Sequence, residues 1–65
     1  MLAIGIDIGG TKILGALVDV DGKVLHELRV PSPAQDPDLM VDTVVQLIEE
    51  LTLKASDVIA GVGVA

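Results

Sequence analysis

The chain has 65 residues and a net charge of −6, and it contains no cysteine, phenylalanine, tyrosine or tryptophan although 51% of its residues are hydrophobic. At this length it forms at most one domain, and no disulfide can reinforce it. The acidic balance disfavours nucleic-acid and anionic-membrane partners, and no apolar run reaches the roughly 20 residues of a membrane span, so we expect a cytoplasmic protein.

The first predicted element is an apolar strand at residues 2–8 that is interrupted only by Gly5 and Asp7. A near-continuous apolar run is typical of a central strand that is covered on both faces. Gly9 and Gly10 are predicted to form the turn that follows, because glycine adopts positive φ without a steric penalty.

Two further strands are predicted after this turn. Residues 13–18 form the second strand, in which Gly15 leaves a gap that a ligand or another backbone can approach. Asp21-Gly22, between apolar flanks, predicts a hairpin with a two-residue loop. Residues 23–30 form the third strand, whose polar residues indicate an exposed edge. The beginning of the chain is therefore expected to be a three-stranded antiparallel meander.

A linker and a helix are predicted next. Residues 31–33, a Pro-Ser-Pro sequence, mark the linker because proline cannot continue a sheet ladder. Asp36 is expected to cap a helix that begins at Pro37 and ends at about Leu51 or Thr52. The predicted apolar stripe of this helix consists of Met40, Val41, Val44, Val45, Leu47, Ile48 and Leu51.

A fourth, buried strand is predicted from Val58 to Ala65, an apolar run with two glycines. The predicted order of elements is therefore β-β-β-α-β. A strand this apolar is expected to have neighbours on both sides, because an unpaired apolar edge promotes aggregation. We therefore expect residues 1–65 to be the N-terminal part of one larger domain with an incomplete sheet, or a chain that self-associates through the Val58–Ala65 edge.

The turn after the first strand contains the residue types of a phosphate site. It is not a Walker loop, because Thr11 and Lys12 stand in the reverse order and a strand follows instead of a helix. Backbone N–H groups around Gly9 and Gly10 can form a nest for phosphate oxygens, while Thr11 adds a hydroxyl donor and Lys12 a positive charge. Asp7 is placed to hold Mg²⁺ through its water shell. The same residues also make an ordinary hairpin, so from composition and spacing alone both interpretations stay open.

The acidic residues of the second hairpin also allow two interpretations. Asp19 and Asp21 are favoured as turn-forming residues, and the alternative is that Asp19 contacts the shell of a metal ion. They do not complete a calcium loop, because Val30 occupies the position of the bidentate glutamate.

Residues 5–12, Gly-Ile-Asp-Ile-Gly-Gly-Thr-Lys, resemble the phosphate-1 motif of the superfamily that contains sugar kinases, heat-shock ATPases and actin. The resemblance continues through Gly15, Asp19 and Gly22. The Gly-Gly-Thr-Lys version is most similar to the ROK family of bacterial sugar kinases and repressors, and residues 59–65 are similar to the fourth strand of that family. The resemblance covers essentially the whole chain.

This resemblance implies an α/β fold of the ribonuclease-H-like (actin-like ATPase) type, with the fourth strand parallel to the first. It implies that Asp7 serves Mg²⁺·ATP, with the Mg²⁺ bound through water, and that Gly9, Gly10, Thr11 and Lys12 form the phosphate-1 loop. In the family, the catalytic base and the sugar-binding residues lie beyond this segment. No catalytic residue is therefore assigned, and the chain alone is expected to be inactive.

The expected function is that of the N-terminal segment of a glucokinase-like, ATP-dependent sugar kinase, which transfers the γ-phosphate of ATP to a sugar hydroxyl. Repressors of the family carry a helix-turn-helix before the first strand, and this chain begins about one residue before it, which favours the kinase branch. One alternative is the same segment of a ROK-type transcriptional regulator. Another is a non-catalytic isolated or self-paired small domain that keeps the phosphate turn.

Overall fold

The computed structural model describes all 65 residues. The strands are β1 (Leu2–Ile8), β2 (Lys12–Val18), β3 (Val24–Pro31) and β4 (Ile59–Val64), and the helix is α1 (Pro37–Lys54). The strands form one sheet in the order β3-β2-β1-β4, antiparallel except for the parallel pair β1 and β4. The predicted meander and the parallel fourth strand are confirmed. The single helix is not long and apolar enough to cross a membrane.

The core lies between α1 and one face of the sheet. Successive side chains of a strand point to opposite faces, so every second residue of β1 and β2 faces the helix. The buried cluster is entirely aliphatic and consists of Leu2, Ile4, Ile6, Ile13, Leu17, Leu47 and Leu51. Full burial of one such side chain contributes about 1.5–3 kcal/mol, so this cluster is the main stabilising feature of the chain.

The gap that Gly15 was predicted to leave in β2 is occupied by the helix. Gly15 is buried, and a Cβ built on it would lie 3.0 Å from Cδ1 of Leu51 and 3.3 Å from Cδ1 of Ile6. The helix therefore packs directly against the strand at this glycine, and the space predicted for a ligand or another backbone segment is filled by the chain's own helix.

The predicted beginning of α1 is confirmed, whereas its end lies further along the chain. Asp36 caps the helix, because its Oδ1 accepts a hydrogen bond from the Leu39 N–H at 3.1 Å, and Pro37 is the first helical residue. The helix continues past Thr52 to Lys54. No glycine or proline occurs between Thr52 and Gly61, so the sequence contains no strong signal that would end the helix at Thr52.

The apolar stripe of α1 is narrower than predicted. Val41 and Val45 are 62% and 46% exposed, whereas Leu51 is fully buried. At 3.6 residues per turn, Val41 and Val45 are rotated about 80° and 120° away from Leu51 around the helix axis. These two valines therefore lie on the flank of the helix and not on the face that contacts the sheet.

The loop between β2 and β3 is longer than the predicted two residues and spans 19–23. The Gly22 N–H donates to the Asp19 carbonyl oxygen and the Asp19 N–H donates to that of Lys23, both at 3.0 Å. Gly22 has a φ of +82°, so the loop combines a tight turn with a left-handed glycine.

The turn-forming interpretation of Asp19 is confirmed, because its Oδ1 accepts hydrogen bonds from the N–H groups of Asp21 and Lys23, each at 2.9 Å. Because β2 runs antiparallel to β1, this loop and the glycine turn lie at opposite ends of the strands. The alternative in which Asp19 reaches a metal ion at the glycine turn is therefore wrong.

The two outer strands differ from each other in how well they match expectation. β3 is the exposed edge that its polar residues predicted, and its last residue, Pro31, pairs with Lys12 instead of opening the linker. β4 was expected to be buried, which is wrong, because Val62 and Val64 are 46% and 57% exposed. The helix packs over the other three strands, and β4 pairs only with β1.

Candidate functional site

Three chain segments meet at the end of the sheet that contains the carboxyl end of β1. The glycine turn lies there, and Ala65 joins it: the Ala65 N–H donates to the Ile6 carbonyl oxygen at 2.8 Å, and its own carbonyl accepts from the Ile8 N–H at 2.9 Å. β3 runs in the same direction as β1, so the segment from Ser32 onward also begins at this end. Ligands of open α/β sheets bind outside the carboxyl ends of the strands, which makes this end the candidate site.

Gly9 is required because its position has no room for a side chain, and not because of its backbone dihedral angles. Its N–H donates to the Lys12 carbonyl oxygen at 2.9 Å, and a Cβ built on Gly9 would lie 2.9 Å from that same oxygen. A side chain at this position would force the hairpin to open. Gly22 is the only residue with positive φ, so the positive φ expected of Gly9 and Gly10 is wrong.

Two backbone N–H groups of the turn have no partner in the chain. Neither Gly10 nor Thr11 donates a backbone hydrogen bond, and both residues are exposed. Apart from chain neighbours, no heavy atom lies within 4 Å of a Cβ built on Gly10, so a ligand can approach this backbone closely. The Thr11 carbonyl oxygen accepts a hydrogen bond from the Ser32 N–H at 3.0 Å. The turn therefore presents two free donors on an anchored backbone, as anion-binding nests do.

The side chains of Thr11 and Lys12 add two more donors to the turn. Both residues are exposed, and Lys12 forms no ion pair, since the one ion pair of the chain joins the Met1 amino group to Asp57. An ammonium that is not neutralised by a carboxylate of the chain is available to an anionic ligand.

Asp7 lies on the face of the sheet opposite α1. It is exposed, pairs with Leu14 in β2, and forms no ion pair. It borders an open cavity of about 520 Å³ on this face. The cavity is lined by Gly5, Ile6, Asp7, Leu14, Ala16, Glu27, Gly63, Val64 and Ala65. The carboxylate is therefore accessible to solvent two residues before the glycine turn.

Strand pairing brings a second carboxylate to this cavity that the sequence did not identify as a site residue. Glu27 pairs with Ala16, and Ala16 pairs with Gly5, so Glu27 lies on the same face as Asp7. The alternation of β3 is visible in the sequence. Its register is not, because an irregularity near the end of β2 shifts the pairing with β3.

The available groups fit the phosphates of a nucleotide together with a hydrated Mg²⁺. No group of three or more His, Cys, Asp and Glu side chains is placed to hold a metal ion. Mg²⁺ commonly keeps several waters and uses one or two carboxylates together with substrate phosphates, so Asp7 is sufficient as the carboxylate. The free N–H groups, the hydroxyl and the ammonium are donors for phosphate oxygens.

Comparison with known proteins gives consistent matches over the whole chain. The model of the ROK family matches residues 3–65. A glucokinase from Streptomyces coelicolor is 39% identical over 64 residues, which are 98% of this chain and 20% of the relative. An N-acetylmannosamine kinase from Escherichia coli is 38% identical over 66 residues, which cover 98% of this chain and 23% of the relative.

Solved structures agree with these matches. A ROK family glucokinase from Streptomyces griseus, in complex with glucose and AMPPNP, superposes with a TM-score of 0.87 and 31% identity over 100% of this chain and 20% of that chain. A ligand-bound xylulose kinase from Lactobacillus acidophilus gives a TM-score of 0.87 and 30% identity over 98% of this chain and 15% of that chain. The chain thus spans about a fifth of the length of the glucokinase relatives that it matches.

Proposed function

Because the chain belongs to the ROK family, we propose that it is the N-terminal segment of an ATP-dependent sugar kinase and supplies the turn that binds the phosphates of ATP. Its sheet and helix match the N-terminal part of the actin-like ATPase fold of ROK kinases. The observation that carries the proposal is the pair of unpartnered N–H groups at Gly10 and Thr11, at the carboxyl end of β1.

Each residue of the turn has one role in this proposal. The N–H groups of Gly10 and Thr11 and the Thr11 hydroxyl donate to phosphate oxygens, and Lys12 balances part of the negative charge. Asp7 orients the hydrated Mg²⁺ through a bound water, and Gly9 lets the hairpin close. Bound Mg²⁺·ATP supplies the transferable phosphoryl group, and this chain contributes to its positioning.

The sugar and the base that activates its hydroxyl belong, in this proposal, to the rest of a longer protein. The parent is proposed to be glucokinase-like, because a glucokinase relative is 39% identical to this chain and a ROK family glucokinase structure also superposes on it with a TM-score of 0.87. The 65-residue chain alone is proposed to bind nucleotide without transferring phosphate. A cytoplasmic location belongs to the same proposal.

The proposal can be tested with variants of two matched glycines. Gly10→Ala places a methyl group where the phosphate is expected, whereas Gly61→Ala places one in open space on β4. Neither Cβ would have a neighbour within 4 Å, and neither glycine has positive φ. The thermal midpoints of both variants are expected to stay unchanged or to rise slightly, because alanine restricts the unfolded chain.

Binding of Mg²⁺·ATP to the two variants is then compared with the wild-type chain. We expect the wild type and Gly61→Ala to bind with a millimolar Kd, about −4 kcal/mol, since a few exposed hydrogen bonds must offset the cost of association. Gly10→Ala is expected to bind at least ~10-fold more weakly. Equal binding by all three chains would contradict the proposed role of the turn.

A second function, self-association as a small non-catalytic domain, is favoured by the free edge of β4. This strand contains no charged residue and no proline, and Val62 and Val64 are 46% and 57% exposed. Such an edge is a template for pairing with a second chain. Light scattering is expected to show an oligomer that Val62→Lys converts to a monomer, and a monomeric wild-type chain would contradict self-association.

A further inference from the structure

The structure contains one buried polar side-chain atom without a hydrogen-bond partner, the hydroxyl oxygen of Ser32. Buried hydroxyl groups in native proteins almost always have a partner, so an orphaned one requires an explanation. The backbone N–H of the same residue is bonded to the glycine turn, because it donates to the Thr11 carbonyl oxygen at 3.0 Å. The orphaned hydroxyl therefore belongs to a residue that directly contacts the candidate site.

Ser32 and Gly10 also line one cavity, of about 350 Å³, at the end of the sheet where the turn lies. The other lining residues are Pro33, Ala34, Gln35 and Asp36. One Asp36 carboxylate oxygen is already occupied by the Leu39 N–H, and no basic residue lines the cavity. The cavity lining therefore offers hydrogen-bond donors but no positive charge, so in the proposed complex the charge of a phosphate is balanced from outside the lining, by Lys12 of the turn and by the Mg²⁺ that accompanies the nucleotide.

We propose that Ser32 is a ligand-contacting residue that donates a hydrogen bond to a phosphate oxygen bound over Gly10. The inference rests on the proposed function, in which the turn binds the phosphates of Mg²⁺·ATP. Rotation about the Cα–Cβ bond of a serine connects three staggered positions, so the hydroxyl can leave its buried position and reach the cavity without a change of backbone. A hydroxyl that lacks a partner in the free chain gains a charge-assisted hydrogen bond in the complex.

This role predicts effects of opposite sign on stability and on binding. Removing a buried hydroxyl that has no partner leaves the free chain equally stable or more stable, because no hydrogen bond is lost and an unfavourable desolvation disappears. Removing the same hydroxyl weakens the complex, because a donor to the phosphate is lost. A hydroxyl with a purely structural role would instead stabilise the free chain and leave nucleotide binding unchanged.

The test compares Ser32→Ala with Ser56→Ala, a matched change at an exposed serine. Denaturant midpoints are measured without ligand, and Kd is measured by amide chemical shifts with Mg²⁺·AMPPNP as the probe. For Ser32→Ala we expect a midpoint equal to or above that of the wild type and a Kd raised about threefold to tenfold. Ser56→Ala is expected to change neither quantity.

Three results would overturn the inference, and they are distinguishable. A lowered midpoint for Ser32→Ala would show that the hydroxyl has a structural partner. An unchanged Kd for Ser32→Ala, with normal binding by the wild type, would remove the contact while leaving the proposed function intact. A wild-type chain whose Gly10 and Thr11 amides do not respond to Mg²⁺·AMPPNP would overturn the proposed function, and this inference with it.

Discussion

The two hairpins of this chain satisfy their backbone groups in opposite ways. In the loop between β2 and β3, the Asp19 carboxylate accepts hydrogen bonds from the N–H groups of Asp21 and Lys23, each at 2.9 Å. In the turn between β1 and β2, no group of the chain accepts from the N–H groups of Gly10 and Thr11. The first loop is satisfied by its own residues, whereas the second leaves two donors for a ligand.

The glycines of the two hairpins differ in the same way. Gly22 has a φ of +82°, which lets the chain reverse after Asp19. Gly9 has no positive φ, and its missing side chain leaves room for the Lys12 carbonyl oxygen. Gly22 therefore serves chain reversal through its φ, whereas Gly9 serves hairpin closure through the space it leaves, and the neighbouring Gly10 is the glycine that a ligand can approach closely.

The largest expected effect comes from the core that supports both hairpins. Leu51→Ala is expected to lower the free energy of unfolding by about 2–5 kcal/mol, because it removes a fully buried side chain and leaves a cavity against Gly15. In so small a domain this change is expected to unfold much of the chain at 25 °C, as measured by circular dichroism. Leu53→Ala is the control, since Leu53 is 86% exposed and is expected to change stability little.

The next effect distinguishes the two kinds of glycine. Gly9→Ala is expected to cost about 1–3 kcal/mol and to abolish nucleotide binding, because its Cβ would lie 2.9 Å from a backbone oxygen. Gly22→Ala is expected to cost about 1–2 kcal/mol through its positive φ and to leave binding unchanged. Denaturant unfolding and nucleotide titration of both variants measure the difference, and a loss of binding in both would remove the distinction.

A smaller effect separates the two aspartates that stand near the hairpins. Asp19→Ala is expected to cost about 1 kcal/mol, because the N–H groups of Asp21 and Lys23 lose their acceptor, and to leave the nucleotide Kd unchanged. Asp7→Asn is expected to leave stability unchanged, because Asp7 is exposed and forms no ion pair. It is expected to raise the nucleotide Kd, because the charge of Asp7 serves the hydrated Mg²⁺.

Calorimetric titration with ATP in the presence and absence of Mg²⁺ measures this difference between the aspartates. The Mg²⁺ dependence of binding is expected to persist in Asp19→Ala and to disappear in Asp7→Asn. An Asp7→Asn chain that keeps its Mg²⁺ dependence would contradict the role proposed for Asp7.

The smallest effect is a pH dependence of stability that arises from Asp57, at the end of the sheet away from the glycine turn. A hydrogen bond from the Met1 amino group at 3.0 Å, together with one from the Val58 N–H, lowers the pKa of Asp57 below its usual value. Because the folded-state pKa is the lower one, this stabilisation is present above the unfolded-state value of about 3.9 and is lost as pH falls through the folded-state pKa. Asp57→Asn is expected to remove this contribution from the thermal midpoint without changing nucleotide binding.

The elements of the fold follow from local signals in the sequence. Apolar runs and turn residues predict the three-stranded meander, and Asp36 with Pro37 predicts where α1 begins. Features that depend on distant contacts do not follow from such signals. The gap at Gly15 is filled by Leu51 from the helix, and the exposure of β4 depends on which strands the helix covers.

The sequence predicts which residues form the candidate site, but it does not predict which of their hydrogen-bonding groups are free. The motif and its family resemblance identify the turn, but they do not reveal that Gly9 uses its N–H within the hairpin while Gly10 and Thr11 leave theirs free. The same limit applies to Glu27, which reaches the cavity beside Asp7 through the register of β3, and to the Ser32 hydroxyl. Each of these depends on backbone positions that local sequence patterns do not determine.

The most direct test is a ¹⁵N–¹H correlation spectrum of the chain titrated with Mg²⁺·AMPPNP, in which the two hairpins are compared within one sample. The largest shifts are expected at the amides of Gly10 and Thr11, whose free N–H groups lie at the proposed phosphate site, and at the adjacent amide of Lys12, while the Asp21 and Lys23 amides keep their positions. Shifts of equal size in both hairpins, or none in the glycine turn, would contradict the account of this turn as a phosphate-binding site.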